Sequence, residues 1–150
     1  MCQSPTPESV ILGLAAGDAF GLPVEFKSPS EIEGEYGDLD KLVGYGSRNQ
    51  PERRASDDTD MALYLARSLA SCGSFEEDDD VSRFVEWFES RPVGHRKLTR
   101  AVLSDVADGL SWESASKVNW SLSKEGSNAG NGGLMRAPPV AIAFADDYLD

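Results

Sequence analysis

Ser56-Asp57-Asp58-Thr59-Asp60-Met61-Ala62-Leu63-Tyr64-Leu65-Ala66-Arg67-Ser68-Leu69 is the stretch that decides the fold. Ser56 or Asp57 can cap a helix, and acids in the first turn favour its positive end. Met61, Ala62, Leu65, Ala66 and Leu69 then recur at helical spacing, which predicts a helix to about Ser71. Cys72-Gly73-Ser74 stops it.

The same pattern repeats outward in both directions. Upstream, Ser4-Pro5-Thr6-Pro7-Glu8 reads as a helix start, with Val10, Ile11, Leu14 and Ala15 on one face and Gly17 ending or loosening the helix. Residues 21–55 form a long excursion rich in Gly, Pro, Ser and charge, in which 41–45 is a short strand or a tether. Downstream, Glu76 to Asp80 is a solvated acidic start to a helix that turns Val81, Phe84, Val85 and Phe88 inward. A helix from about Arg96 to Asp108 follows, striped by Leu98, Ala101, Val102 and Val106. Trp112 to about Trp120 is a further short helix, 121–133 a loop, and Pro138-Pro139 opens a last apolar segment, Val140 to Phe144. With no period of two and no repeat, the fold class is all-α, of about six helices. Trp87, Trp112 and Trp120 are expected as core or partial-core anchors.

Composition narrows the function. The chain has 150 residues, enough for one domain with a real core. Three Trp, six Phe and four Tyr argue against disorder. A net charge of -12 disfavours nucleic acid as a direct partner, because phosphate contacts need clustered Lys and Arg. Five of the 14 basic residues are Lys against 26 acids, a balance that suggests a halophilic source. No apolar run reaches the ~18 residues of a membrane span, and Met1 to Pro5 lacks a basic leader. A cytoplasmic protein is the expectation. Cys2 and Cys72 have no metal spacing and no expected disulfide.

Three segments can carry chemistry. Ser56, Asp57 and Asp58 offer a hydroxyl and two adjacent carboxylates, ligands suited to Mg²⁺ or Mn²⁺, with helix capping as the plainer reading. Glu25 follows a Gly-x-Pro turn, as a loop acid or as a carboxylate able to orient water and move a proton. Asp18 can cap locally, hold the loop or stand behind the site. Gly130-Asn131-Gly132-Gly133 is a turn or a phosphate or ribose cradle, and Arg136 a pyrophosphate ligand or the partner of a neighbouring acid. His95, the single histidine, is expected in a surface or structural role, since nothing places a nucleophile beside it.

Taken in order, the three segments resemble the ADP-ribosylglycohydrolase family. Gly17 to Glu25 matches its Gly-Asp-Ala-x-Gly-x-Pro-x-Glu turn, Ser56 to Leu63 its Thr-Asp-Asp-Thr-x-Met-Ala-Leu motif, and Gly130 to Pro139 its Gly-Asn-Gly-x-x-Met-Arg-x-x-Pro motif. The resemblance implies an orthogonal helical bundle with a two-metal site, Mg²⁺ or Mn²⁺. It implies cleavage of the N- or O-glycosidic bond between ADP-ribose and an acceptor, either an ADP-ribosylated protein or a small ADP-ribose derivative. By position, Ser56, Asp57 and Asp58 are then metal ligands and Glu25 the catalytic acid/base. Asp18, Ser127, Gly130, Asn131 and Gly132 line the substrate pocket.

The chain departs from the pattern in three places. Ser56 stands where the family has Thr, and Pro92 to Lys97 lacks the Asp and Asn of an Asp-x-Gly-Asn element. Nor does 146–150 reproduce the family's second Asp-x-Asp-Thr cluster. Residues 1–150 therefore read as an N-terminal portion of the family domain. The expectations are an enzyme fragment, a chain completed by a second polypeptide, or a shortened module that binds ADP-ribose or a protein without catalysis.

Overall fold

The computed structural model describes residues 6–92, 97–124, 126 and 130–145. All regular structure among them is helical: eight α-helices and one 3-10 turn, against the six helices expected. Cα packing divides the chain into two units, Met1–Thr59 and Asp60–Asp150. No single described helix is long and apolar enough to cross a membrane.

In the first unit, α1 spans Pro7–Gly21. Thr6 caps it by accepting the Ser9 N–H at 3.3 Å, and Pro7 fills a first-turn position where no N–H is missed. The helix does not end at Gly17. It runs one turn further, although an interior glycine costs about 1 kcal/mol relative to alanine. That extra turn carries Asp18, whose side chain is engaged elsewhere in the unit, and Ala19, which is buried. The 3-10 turn Leu22–Val24 follows directly, with Leu22 and Pro23 buried.

The excursion expected at 21–55 contains a helix, α2, at Pro29–Tyr36. Its signal is local: Ser28 and Glu31 close a full capping box, with Pro29 at the start. No residue of α2 is buried, so caps and the Lys27–Glu35 ion pair hold it rather than a core. Residues 37–56 are irregular, so 41–45 is a tether and no strand. The tether is pinned where Ser47 N–H donates to Pro23 O at 2.8 Å. Gly46 meets the same carbonyl so closely that a Cβ there would lie 2.0 Å from its oxygen. Only glycine fits that approach.

Helix α3, Asp57–Cys72, holds the unit boundary within its first turn. In the second unit, Met61, Ala62, Leu65 and Leu69 of α3 are buried, the stripe its spacing predicts. The unit continues with α4 (Glu77–Glu89), α5 (Lys97–Ala107), α6 (Trp112–Leu122), α7 (Gly132–Met135) and α8 (Ala137–Ala143). The loop expected over 121–133 is therefore shortened at both ends. Met61, Trp87, Leu103 and Met135 form the core, with Tyr64, Phe84, Val85 and Phe88 packed against it. Helix α5 packs on both α4 and α6, and Asn119 Nδ2 ties α6 to α5 by donating to Asp105 Oδ2 at 2.7 Å.

Three expectations change here. Leu103, outside the expected α5 stripe, is the α5 residue that enters the core. Leu98, Val102 and Val106 instead line an open cleft of about 250 Å³ with Phe84 and Trp112. Of the tryptophans, Trp87 is 1% exposed and Trp120 57%: Trp87 of α4 enters the core and Trp120 of α6 does not. The acidic start of α4 is only partly solvated. Asp79 accepts from Ser68 Oγ and Arg83 Nε, each at 2.5 Å, while Asp80 is buried.

Candidate functional site

Asp18 organises the first unit's polar cluster. Its Oδ1 accepts Ser56 Oγ–H at 2.7 Å. Its Oδ2 accepts Ser56 N–H at 2.8 Å, Thr59 N–H at 3.2 Å and the Thr59 hydroxyl at 2.6 Å. Ser56 Oγ in turn accepts Asp58 N–H at 3.2 Å. The N-terminus of α3 is therefore capped twice, locally by Ser56 and across 38 residues by Asp18. A helix start presents unpaired N–H donors and a positive dipole end, and a carboxylate satisfies both.

This arrangement fixes Asp57 and Asp58 in the first turn of α3. Asp57 is buried and Asp58 half-buried. The sequence treated Thr59 only as part of a motif, but its buried hydroxyl is one of Asp18's partners. Asp60 falls in the other unit, where its Oδ2 accepts Trp87 Nε1–H at 3.4 Å.

Glu25 follows the 3-10 turn, where the backbone leaves helical geometry at ψ 134°. Its Oε2 accepts Arg48 Nε–H at 2.6 Å. Both side chains are about a third exposed, 30% for Glu25 and 32% for Arg48. The hydrogen bond to Glu25 holds the Arg48 guanidinium more firmly protonated than usual, and the charge of Asp57 adds to that. The guanidinium also lies over the Phe26 ring, 5.1 Å from its centre. Sequence reasoning missed Arg48, since nothing in its neighbours signals a partner 23 residues away.

The glycine-rich segment belongs to the second unit. Gly130 and Asn131 are exposed, and Asn131 O accepts Met135 N–H at 3.1 Å as α7 begins. Gly132 O accepts Arg136 Nε–H at 2.6 Å, and the Arg136 guanidinium lies 5.3 Å from the centre of the Phe84 ring. Ser127, His95, Cys2, Asp146, Asp147 and Asp150 lie outside the described residues. Cys72 is a free, exposed thiol. Among the described residues, no group of three or more His, Cys, Asp or Glu side chains is placed to hold a metal.

Comparison with known proteins gives a consistent answer. A family model described as ADP-ribosylglycohydrolase matches residues 8–149. The ADP-ribosyl-[dinitrogen reductase] glycohydrolase of Rhodospirillum rubrum is 36% identical over 133 residues, covering 88% of this chain and 42% of that protein. The ADP-ribosylarginine hydrolase Tri1 of Pseudomonas putida is 29% identical over 135 residues, covering 90% of this chain and 35% of its own length. A solved structure titled ADP-ribosylglycohydrolase-related protein complex superposes with a TM-score of 0.67 at 30% identity, over 90% of this chain and 41% of that one. The chain thus spans about two fifths of the length of these relatives.

Proposed function

The chain belongs to the ADP-ribosylglycohydrolase family, and from that premise we propose that it serves the hydrolytic removal of ADP-ribose from a modified acceptor. The observation that carries the proposal is the twice-capped start of α3, which holds Ser56, Asp57 and Asp58 in one turn. Those donors are hard oxygens, and their chemistry fits Mg²⁺ or Mn²⁺ better than a metal that wants His or Cys. Ser56 Oγ and the Asp57 and Asp58 carboxylates would be this chain's ligands, completed by water, substrate or groups outside the described residues. Once bound, such a cation would grip ribose hydroxyls and polarise the sugar.

The remaining roles fall to the chain's own residues. Glu25 is the carboxylate that orients water and moves a proton, and its negative charge favours the positive character that develops on the sugar as the bond breaks. Asp18 shapes the pocket wall by holding Ser56 and Thr59. The family resemblance assigns Ser127, Gly130, Asn131 and Gly132 to binding of the ADP-ribose. An acidic chain repels a pyrophosphate, so backbone amides and bound cations must offset its field. The relatives named for dinitrogen reductase and for arginine support an ADP-ribosylated protein as the substrate class.

Calorimetric titration with Mn²⁺ and then ADP-ribose, in high salt, tests the proposal. Saturable binding of both, lost in Asp57→Ala and Asp58→Ala, is expected. Unchanged Mn²⁺ affinity in both variants removes the metal assignment. Glu25→Gln should keep the metal and lose turnover, and normal hydrolysis by that variant removes Glu25 from the chemistry. ADP-ribose binding that persists in a chelator without turnover would favour the non-catalytic binding module instead.

A further inference from the structure

Glu25 already holds a cation, and it is one of the chain's own. Arg48 Nε donates to Glu25 at 2.6 Å, and the guanidinium also lies within electrostatic reach of Asp57. The loop that delivers it is built for the purpose. Ser47 N–H is fixed to Pro23 O at 2.8 Å, two residues before Glu25. Gly46 presses on the same carbonyl with no room for a Cβ. Tyr45 N–H to Gln50 O at 2.6 Å and Asn49 N–H to Gly46 O at 2.9 Å close the turn around Arg48. Tyr45 and Asn49 take left-handed backbone at φ 60° and 51°, a conformation that costs non-glycine residues energy. Gln50 Nε2 donates to Arg48 O at 3.2 Å, and Phe26 stacks on the guanidinium.

Such bracing suits a group with a permanent charge. Arginine cannot shed its proton near neutral pH, so it neutralises neighbouring acids under all ordinary conditions. A divalent cation drawn to the same acids meets that charge as a competitor.

We propose that Arg48, held on Glu25 beside Asp57, is a resident counter-cation of the acidic site, against whose charge a divalent metal must load onto Ser56, Asp57 and Asp58. This rests on the metal reading above and adds a regulation to it: filling the site takes a higher free metal concentration than the carboxylates alone would require.

The test is Mn²⁺ titration of the parent chain and of Arg48→Ala, Arg48→Lys and Asp57→Ala, followed by calorimetry and by loss of the free-ion spin-resonance signal. Far-UV circular dichroism checks that each variant is folded. Arg48→Ala is expected to bind Mn²⁺ at least about tenfold more tightly than the parent, equivalent to ~1.4 kcal/mol. Arg48→Lys, which keeps the charge, should stay near the parent. Equal or weaker binding by Arg48→Ala overturns the proposal. So does equal tightening by Arg48→Lys, which would assign the effect to a loosened loop. Binding that survives Asp57→Ala unchanged removes the metal assignment separately, and a parent and Arg48→Ala that both ignore Mn²⁺ overturn the two together.

Discussion

Replacing Asp18 with alanine should cost far more stability than a partly exposed acid normally does. The carboxylate accepts from Ser56 N–H, Ser56 Oγ, Thr59 N–H and Thr59 Oγ1, at 2.8, 2.7, 3.2 and 2.6 Å. Hydrogen bonds to a charged group contribute about 1.5–3 kcal/mol each in isolation, but four on one carboxylate do not add. Water replaces part of the loss, because Asp18 and Ser56 are only half-buried. Loss of a helix cap sets a scale of about 1–2 kcal/mol and loss of the dipole interaction up to about 1 more. Thr59 is buried, so its abandoned hydroxyl adds an unsatisfied donor of about 1 kcal/mol. Asp18→Ala should therefore lose about 3 kcal/mol, and Asp18→Asn, which keeps one carbonyl acceptor, about half of that. Urea unfolding followed at the helical dichroism band reads this directly. A slope near 2 kcal/mol per molar makes the expected midpoint shift about 1.5 M for Asp18→Ala. Thr59→Val should cost about 1 kcal/mol in the parent and much less in Asp18→Ala, because its partner has gone. A loss below about 0.5 kcal/mol for Asp18→Ala, or equal costs of Thr59→Val in both backgrounds, would refute the capping argument.

Three further outcomes are expected. Asp80 is buried, and desolvation raises its pKa, while the Ser68 proton that could serve it is directed to Asp79. A carboxyl whose folded pKa lies above its unfolded value costs stability once pH exceeds both, and costs nothing below both. Asp80→Asn should therefore stabilise the chain by about 1 kcal/mol at neutral pH, and that gain should vanish in thermal melts taken below the ordinary carboxylate range. Gly46→Ala places a methyl 2.0 Å from Pro23 O, so the tether must move, and a loss of about 1–3 kcal/mol is expected in chemical unfolding. Trp87→Ala empties the centre of the second unit's core, where the ring is 1% exposed, and should cost about 3–5 kcal/mol in the same assay.

The acidic composition also makes a salt response testable as a proposal. With 26 acids against 14 bases, repulsion among carboxylates opposes the compact state. A melting temperature that climbs steadily into molar KCl would support a halophilic origin, and a flat or falling one would oppose it.

What the amino-acid order determined by itself was everything whose cause lies within a turn or two of chain. The α3 stripe, the proline entry to α1 and the all-helical class rest on period and caps, which act between residues three or four apart. The three motif segments could be read for the same reason, as short runs of defined composition. Even α2 was available in Ser28-Pro29-Ser30-Glu31, although the polar loop around it masked the signal. Tertiary structure alone decided which groups those runs meet. Helix spacing offers both Leu103 and its neighbours to a core, and only the packing of α5 against α4 and α6 chooses between them. The partner of Glu25 is 23 residues away and the partners of Asp18 are 38 and 41 away. A carboxylate carries no mark of which donor it will find. Hydrogen bonding is short-ranged and directional, so the choice exists only once the chain has folded back on itself.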